Sequence, residues 1–446
     1  MEKSVTESKE RAIVEYLLLA VGAIVLLVCV SYSAGGDGAE RLRTLQTLAV
    51  KGDIVSTRFP LIGPLFSLPL YWLGWLAGQA LPVTERYNYV LLLIALASFG
   101  WIFRNALPGT IVRRFLLLVM IGSMFPNHIR FYYGETFTAL AVGVGIAAVC
   151  VRSAGWGWAA AVIGAANTPA AIAGLGLVSF NKLWTSRRLR YLLPVMAAVA
   201  LICADRLIRF GDCMISGYEN NAGFKTLMPY SGLSGFSYPF FFGLLGICFS
   251  FGKGLIFFAP GLLLPVWRRW HSADQKRLRG CYTLWLWFIV GLVLIYAQWW
   301  SWYGGWTFGP RFFLFASIPA SLALAVFATQ PSDRLIVNAI VLPALALSVW
   351  VGICGAVFDS KTLEIAGSQY GYAHEHLTWY VPEFSVLWRP FVVHEALNWR
   401  DWIVISYAGI VFAYLAAPLA AAMGRQLTPH LRAAVRHACP LNRWRP

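Results

Sequence analysis

Long apolar runs alternate with short polar and basic segments along almost the whole chain. A helix needs roughly 20 apolar residues to cross a bilayer, and such runs recur between residues 12 and 423. A membrane β-barrel would instead show short alternating strands. The pattern therefore predicts an all-α polytopic membrane protein with about 10–13 transmembrane or half-inserted helices. The predicted spans are 12–32, 87–105, 111–126, 134–151, 190–208, 241–267, 281–297, 311–328, 335–357 and 401–423.

Two segments after the first span are predicted to lie in the membrane interface. In residues 40–50, Leu42, Leu45 and Leu48 share one helical face while the basic residues lie elsewhere, which is typical of an interfacial helix. We expect this helix to end at Gly52. The apolar run 60–81 carries three prolines and two tryptophans, which favours a second interfacial or half-inserted helix.

A third segment, 156–180, is interrupted midway by Asn167, Thr168 and Pro169. Two short helices, one entering the membrane and one returning, would keep the basic loops before and after this segment on the cytoplasmic side. Broken helices are tolerated at membrane depth where they line a protein cavity. We expect one membrane domain, residues 1–423, followed by a basic cytoplasmic tail, 424–446. Its outer loops would be 33–86, where the site is predicted, and 358–400.

The composition supports a membrane protein and argues against a nucleic-acid partner. The chain is 59% hydrophobic and only 13% charged, with a formal net charge of +16. Its Lys and Arg residues cluster in short loops between apolar runs, as the positive-inside rule describes. This bias predicts cytoplasmic termini. The compact size, without large soluble domains, favours a bacterial inner membrane, and the acidic N-terminus with its long apolar run predicts an uncleaved signal anchor as the first span. The eight cysteines form no CxxC pair, so we expect packing roles rather than zinc or disulfides.

Acidic residues at the membrane face are the first candidates for chemistry. Asp37 lies between glycines just after the first span, and Glu135 opens the span that follows the short loop with His128 and Arg130. Ionisable groups in such positions are costly and are commonly functional. A solvated interfacial carboxylate at position 37 and a favourable helix-dipole contact at position 135 remain alternatives.

Two basic residues lie beside glycines in otherwise apolar surroundings. Lys253 is flanked by Gly252 and Gly254, and Arg311 follows the aromatic loop WWSWYGGWTFGP. Small neighbours let a phosphate approach closely, and Arg can bind it with two parallel hydrogen bonds. Snorkelling of a lysine to the headgroups and an interfacial aromatic belt are the structural alternatives.

Together these motifs resemble the GT-C superfamily of polyprenyl-phosphate-sugar glycosyltransferases. The family includes the protein O-mannosyltransferases and the lipid A aminoarabinose transferases. The resemblance covers roughly residues 12–330 and rests on the order of an acidic residue after the first span, KGDIVSTRFP, LPLYWLG, the acidic residue opening the fourth span, GKGL and FGPRFF. It implies that Asp37 is the base and that Glu135 is the second acidic residue. The family often has a second acidic residue directly after the one that corresponds to Asp37, whereas this chain has Gly38 there. Whether Glu40 shares the role of base therefore stays open.

The resemblance also implies a reaction. A sugar would move, with inversion, from a polyprenyl phosphate to a lipid, glycan or protein acceptor on the extracytoplasmic side. A sugar phosphate is a good leaving group, so the reaction needs cations for the departing phosphate and a carboxylate for the acceptor proton. We expect the lipid-linked donor but no further cofactor and no divalent metal. The residues assigned are Lys253, Arg311 and Arg58 for the phosphate, and Trp302, Tyr303, Trp306, His128 and Arg130 for the remaining substrate contacts.

Two other functions are considered. A transporter or flippase of a lipid-linked sugar would explain the many spans, but such proteins usually show internal repeats with matching broken helices, and only one clear broken segment is found. An O-antigen-type polymerase or ligase would use a large outer loop, and 358–400 offers His374, His376 and His394. We expect this loop to recognise the acceptor, and rank that role ahead of metal binding.

Overall fold

The computed structural model describes residues 9–270, 275–358 and 372–438, with side chains as far as residue 428. Within these ranges the chain is helical and has no β-strand. Seven of the described helices are long and apolar enough to cross a membrane. Predictions for the acidic N-terminal residues, the middle of the basic loop near residue 272, the first part of loop 358–400 and the end of the tail lie outside the described residues.

The α-helices are numbered in chain order. They are α1 Lys9–Cys29, α2 Asp37–Lys51, α3 Ile62–Leu76, α4 Ala80–Glu85, α5 Tyr87–Phe103, α6 Gly109–Ile121, α7 Phe125–His128, α8 Gly134–Ala147, α9 Trp156–Asn167, α10 Ala171–Ser186, α11 Leu193–Phe210, α12 Phe240–Phe249, α13 Leu255–Phe258, α14 Lys276–Tyr296, α15 Ser317–Thr329, α16 Leu335–Val357, α17 Leu377–Tyr380 and α18 Trp399–Ala438.

The centre of the bundle is α6, whose residues from Thr110 to Ile121 are all buried. It packs against α1 and α15. A helix buried on every side needs no polar face, and the apolar run after Arg114 meets this requirement. α6 therefore fixes the positions of α1, which leads towards Asp37, and of α15, which follows Arg311 in the chain.

A buried ionic cluster joins α1 to α6 at the membrane face opposite the predicted site. Nε of Arg113 lies 2.7 Å from Oε2 of Glu15, and Nε of Arg114 lies 3.1 Å from Oε1. The hydroxyl of Tyr414 in α18 donates to the same carboxylate at 2.7 Å. Sequence analysis singled out neither the glutamate nor its partners as a cluster, although a glutamate within an apolar run is itself a signal.

The predicted interfacial and broken helices are confirmed. α2 begins at Asp37 and ends at Gly52, whose φ of 73° and N–H bond to the Leu48 carbonyl are the usual glycine C-cap. α9 and α10 are the two short helices predicted on either side of the break. Asn167 fixes the break by accepting a hydrogen bond from the N–H of Gly63 and donating one to the carbonyl of Gly134, both with a length of 2.9 Å.

The predicted span 241–267 is wrong. Residues 240–249 form the short helix α12, a turn follows, and the chain continues through α13 and two 3-10 turns. The prolines at 260 and 265 remove backbone donors and break a continuous helix. The segment follows α15 instead, with Gly261 against the backbone of Ala320 and the Arg269 guanidinium over the ring of Phe327.

Candidate active site

The first loop is joined to the segment before α8 by backbone contacts. The N–H of Ser33 donates to the carbonyl of Arg130 at 2.9 Å, and Ser33 forms a parallel bridge with Phe131. The side-chain amide of Asn88 donates to the carbonyls of Phe131 and Tyr133 at 2.6 and 2.9 Å. These bonds bring the start of α2 beside the start of α8, so that the two helix N-termini face the same space.

Arg311 lies between the carboxylates at these two helix starts. Its Nη2 is 2.8 Å from Oδ2 of Asp37, and its Nε is 3.6 Å from Oε1 of Glu135. The side chains of Arg311, Asp37 and Glu135 are 12%, 25% and 14% exposed. Gly304, with a φ of 77°, makes room for the arginine, because a Cβ there would lie 2.8 Å from its Cγ. Residues far apart in the sequence thus form one charged cluster at the membrane face.

Arg58 forms the outer side of the cluster. Its Nη2 lies 3.8 Å from Oδ1 of Asp37, and its Nε lies 3.7 Å from Oε2 of Glu40. The loop that carries it is held by α11, where Oδ1 of Asp205 accepts from the N–H of Leu61 at 2.9 Å. Arg209 pairs with Asp205 at 2.5 Å and also donates to the carbonyl of Thr57. The predicted residues Asp37, Glu40, Glu135, Arg58 and Arg311 are therefore all brought together.

The arginines keep Asp37 ionised. Burial favours its protonated form, but the charge and hydrogen bond of Arg311, with the charges of Arg41 and Arg58, together lower the pKa of Asp37 below its ordinary value. A carboxylate held this way can accept a proton, although the same pairing makes it a weaker base. A ligand anion that pairs with Arg311 in place of Asp37 would make Asp37 a stronger base.

Lys253 is buried and contacts the backbone of the loop that leads to Arg311. Its Nζ donates to the carbonyls of Gly305, Thr307 and Gly309 at 3.0, 2.7 and 3.2 Å. An ammonium has three donors, and all three are used here. Burial, with a further contribution from Arg311, lowers the pKa of Lys253 to about 7. In this arrangement the lysine orders the loop, and the direct phosphate contact expected from the sequence has no donor left for it.

The aromatic loop packs against the described part of the outer loop. Trp302 and Tyr303 are buried, and the ring of Tyr303 stacks on Trp379 with the centroids 4.0 Å apart. The hydroxyl of Tyr303 donates to Oε2 of Glu375 at 3.0 Å, and burial raises the pKa of Glu375 to about 7. Of the three aromatic residues predicted for sugar contact, Trp306 alone is half-exposed.

His128 and Arg130 are buried beneath the cluster. The Nδ1 of His128 lies 3.0 Å from the carbonyl of Met124, and burial lowers the pKa of His128 to about 4, so its imidazole is neutral. Arg130 donates to the carbonyl of Gly355 at 3.3 Å and to Oγ of Ser31 at 3.1 Å. Arg130 therefore ties the segment before α8 to neighbouring elements, whereas the imidazole of His128 bonds within that segment.

The histidines of the outer loop do not converge. The rings of His374 and His376 are 6.3 Å apart, and His394 is exposed. Within the described residues no group of three or more His, Cys, Asp or Glu side chains is arranged to hold a metal ion.

Arg41 is the residue of this site that the sequence analysis placed wrongly. It was expected off the apolar face of α2, yet it is 7% exposed. Residues four apart share a helical face, so its position before Leu45 placed it on the buried side. Its guanidinium lies over the ring of Phe59 at 4.6 Å. Asp205 and Glu375 were also not predicted, because the contacts that reveal them are long-range.

The bundle, the short helices after the first span and the charged cluster at one end of the bundle define a polytopic all-α membrane protein. The fold matches the crystal structure of ArnT from Cupriavidus metallidurans bound to undecaprenyl phosphate, with a TM-score of 0.51 and 15% identity over 91% of this chain and 77% of that chain. The same protein in its apo state gives a TM-score of 0.46, also at 15% identity, over 91% and 76%. No family model and no curated protein matches the sequence.

Proposed function

We propose that this protein is a membrane glycosyltransferase that moves one sugar from a polyprenyl phosphate to a hydroxyl of a lipid, glycan or protein acceptor. The observation that carries the proposal is the position of Arg311 between Asp37 and Glu135. A cation for a leaving phosphate and a carboxylate for an acceptor proton are the two groups that this chemistry needs. The undecaprenyl phosphate bound to the matching ArnT structure supports the choice of donor.

Asp37 is assigned as the general base. The acceptor oxygen attacks the anomeric carbon while its proton passes to the carboxylate, and the bond from that carbon to the phosphate oxygen breaks. One displacement of this kind inverts the anomeric centre. Arg311 faces the departing phosphate. As the leaving group develops charge, the guanidinium moves its pairing from Asp37 to the phosphate, and this raises the basicity of the carboxylate. Glu135 holds the arginine in place, and Arg58 and Glu40 border the entrance.

The outer leaflet side is the proposed location of the site. The opposite ends of the helices carry clustered basic residues, among them Arg187, Arg188 and Arg190 between α10 and α11. The positive-inside rule assigns such a face to the cytoplasm. The charged cluster then faces the extracytoplasmic side of a bacterial inner membrane.

A transfer assay tests the proposal. Membranes containing wild-type protein, no protein, or Asp37→Asn at matched expression would be given a panel of radiolabelled polyprenyl phosphate sugars with native lipid extract as acceptor. We expect label to reach an acceptor only with wild type. Asp53→Asn, at an exposed aspartate just after α2, is the matched control and should transfer normally. Equal transfer by wild type and Asp37→Asn would contradict the assigned base.

A further inference from the structure

The guanidinium of Arg41 is buried without a hydrogen-bonding anion. Its Nε and Nη1 have no hydrogen-bond partner among the described residues. The three carboxylates nearby, Asp37, Glu40 and Glu135, pair instead with Arg58 and Arg311. An unpaired buried charge is strongly unfavourable, so the position of Arg41 is one that an incoming anion would stabilise.

The surroundings hold this guanidinium in a fixed orientation. On one side it covers the ring of Phe59. On the other it lies against Gly134, where a Cβ would be 2.7 Å from Cζ, Nη1 and Nη2 of Arg41. Tyr87 and Tyr132 line the small cavity beside it, between α2, α3 and α8. A planar cation fixed between a ring and a glycine keeps its donors oriented before any ligand arrives.

The location specifies which anion would bind. Arg41 is close enough to Asp37 to lower the pKa of that carboxyl, so the cavity adjoins the charged cluster. α3 forms another wall of the cavity, and its outer side exposes Phe66, Trp72 and Leu73. A ligand with its phosphate at the charged cluster, against the donors of Arg41, and a long apolar chain along α3 satisfies both features. Lys253 has no donor left for the phosphate, because its three N–H groups bind the loop backbone.

We propose that Arg41 binds the phosphate of the lipid-linked donor, with Gly134 kept without a side chain to admit its guanidinium. The inference rests on the proposed function, because it takes a polyprenyl phosphate as the donor. It assigns the phosphate contact to a residue of α2 rather than to Lys253. Arg41 and Arg311 would then hold the phosphate from two sides, with Asp37 between them.

Binding of undecaprenyl phosphate to the full-length purified protein tests the inference. Undecaprenol and inorganic phosphate serve as separate probes for the apolar chain and the anion. We expect Arg41→Gln to weaken undecaprenyl phosphate binding by about tenfold or more, since hydrogen bonds to charged groups contribute about 1.5–3 kcal/mol. Undecaprenol should bind wild type and Arg41→Gln equally weakly, and inorganic phosphate should compete with undecaprenyl phosphate less effectively in Arg41→Gln than in wild type. Arg43→Gln, two residues along α2 and exposed, should bind like wild type.

A structural role for Arg41 predicts different results. Because Nε and Nη1 have no hydrogen bonds to lose and the buried charge is removed, Arg41→Gln should unfold at or above the wild-type temperature without ligand. It should also lose the rise in Tm that undecaprenyl phosphate causes in wild type. Gly134→Ala keeps the charge but displaces the guanidinium, and should weaken binding in the same way. Wild-type affinity in both variants would overturn the inference and leave the proposed transfer intact. Arg41-dependent binding without transfer of any sugar would instead contradict the proposed function alone.

Discussion

Nη2 of Arg311 lies 2.8 Å from Oδ2 of Asp37, although 274 positions separate the two residues. The pair joins the first residue of an interfacial helix to the loop before α15. Through the same guanidinium the contact reaches Glu135, at 3.6 Å from Nε. One arginine therefore holds both carboxylates at the two helix starts, and Arg58 borders them on the outer side.

Replacing this arginine should abolish most of the transfer activity. Arg311→Gln removes the cation that faces the leaving phosphate, and comparable losses of one preorganised donor reduce kcat by about 10²–10³-fold. Arg311→Lys should recover little, because an ammonium cannot contact two carboxylates with the planar fork of a guanidinium. Initial rates of transfer in matched membranes measure the effect. Arg334→Gln, at an exposed position before α16, should keep the wild-type rate, and a similar loss there would point to a general effect of charge.

Lys253→Met should lower the stability of the protein more than it weakens donor binding. The change leaves buried carbonyls of Gly305, Thr307 and Gly309 without their donor, which is expected to lower the free energy of unfolding by about 2–4 kcal/mol. Thermal unfolding in detergent measures the loss, with Lys51→Met at an exposed end of α2 as the control. A variant with unchanged Tm but greatly weakened undecaprenyl phosphate binding would restore Lys253 as a direct phosphate ligand.

The burial of Glu375 beside Tyr303 should make stability depend on pH. Burial raises the pKa of Glu375 from 4.5 to about 7, so its contribution is complete below pH 4.5 and is lost as the pH rises through 7. The opposite trend comes from His128, whose pKa burial lowers from 6.5 to about 4, and from His376, whose pKa burial also lowers. The difference between wild type and Glu375→Gln isolates the glutamate.

We therefore expect the unfolding free energy of wild type, relative to Glu375→Gln, to fall by up to about 3 kcal/mol between pH 4.5 and 7. Glu383→Gln, at an exposed glutamate in the same outer loop, should show the wild-type slope. A constant difference between wild type and Glu375→Gln across this range would show that the carboxyl titrates normally.

Glu15→Gln should destabilise the bundle strongly while leaving the site chemistry in place. The variant leaves Arg113 and Arg114 buried without their carboxylate, and breaking one partner of a buried pair costs about 3–5 kcal/mol. Glu10→Gln on the same helix is exposed and should cost almost nothing. Unfolding midpoints in detergent compare the two. Equal midpoints would mean that the arginines find other partners in the variant.

Much of the architecture was predictable because membrane spans have a strong local signal. Hydropathy and the basic loops placed most helices, and the break at Asn167 was visible as a polar interruption. The failure at 241–267 has a local cause as well, since Gly252, Gly254 and two prolines within an apolar run oppose a continuous helix. Average hydropathy outweighed this backbone signal in the prediction.

The site was only partly predictable. Asp37, Glu135 and Arg311 could be selected from charge beside apolar runs, and Arg58 was assigned with the family resemblance; the structure brings these four together. Contacts between distant segments decide the remaining roles. The burial of Arg41 depends on α3 and α8, and the use of Lys253 depends on a loop more than 50 residues later. The spacing of Arg41 and Leu45 indicates the buried face of α2, but no local pattern encodes the partners that either side chain meets.

The most direct test of the account is to separate catalysis from binding at Asp37. Purified wild type and Asp37→Asn would be compared for the affinity of a polyprenyl phosphate sugar and for the rate of a single turnover with acceptor present. If Asp37 is the base, the rate falls by about 10²–10⁴-fold while donor affinity is kept or increased, because Arg311 is released from its carboxylate. A wild-type turnover rate in Asp37→Asn, with unchanged donor affinity, would contradict the account.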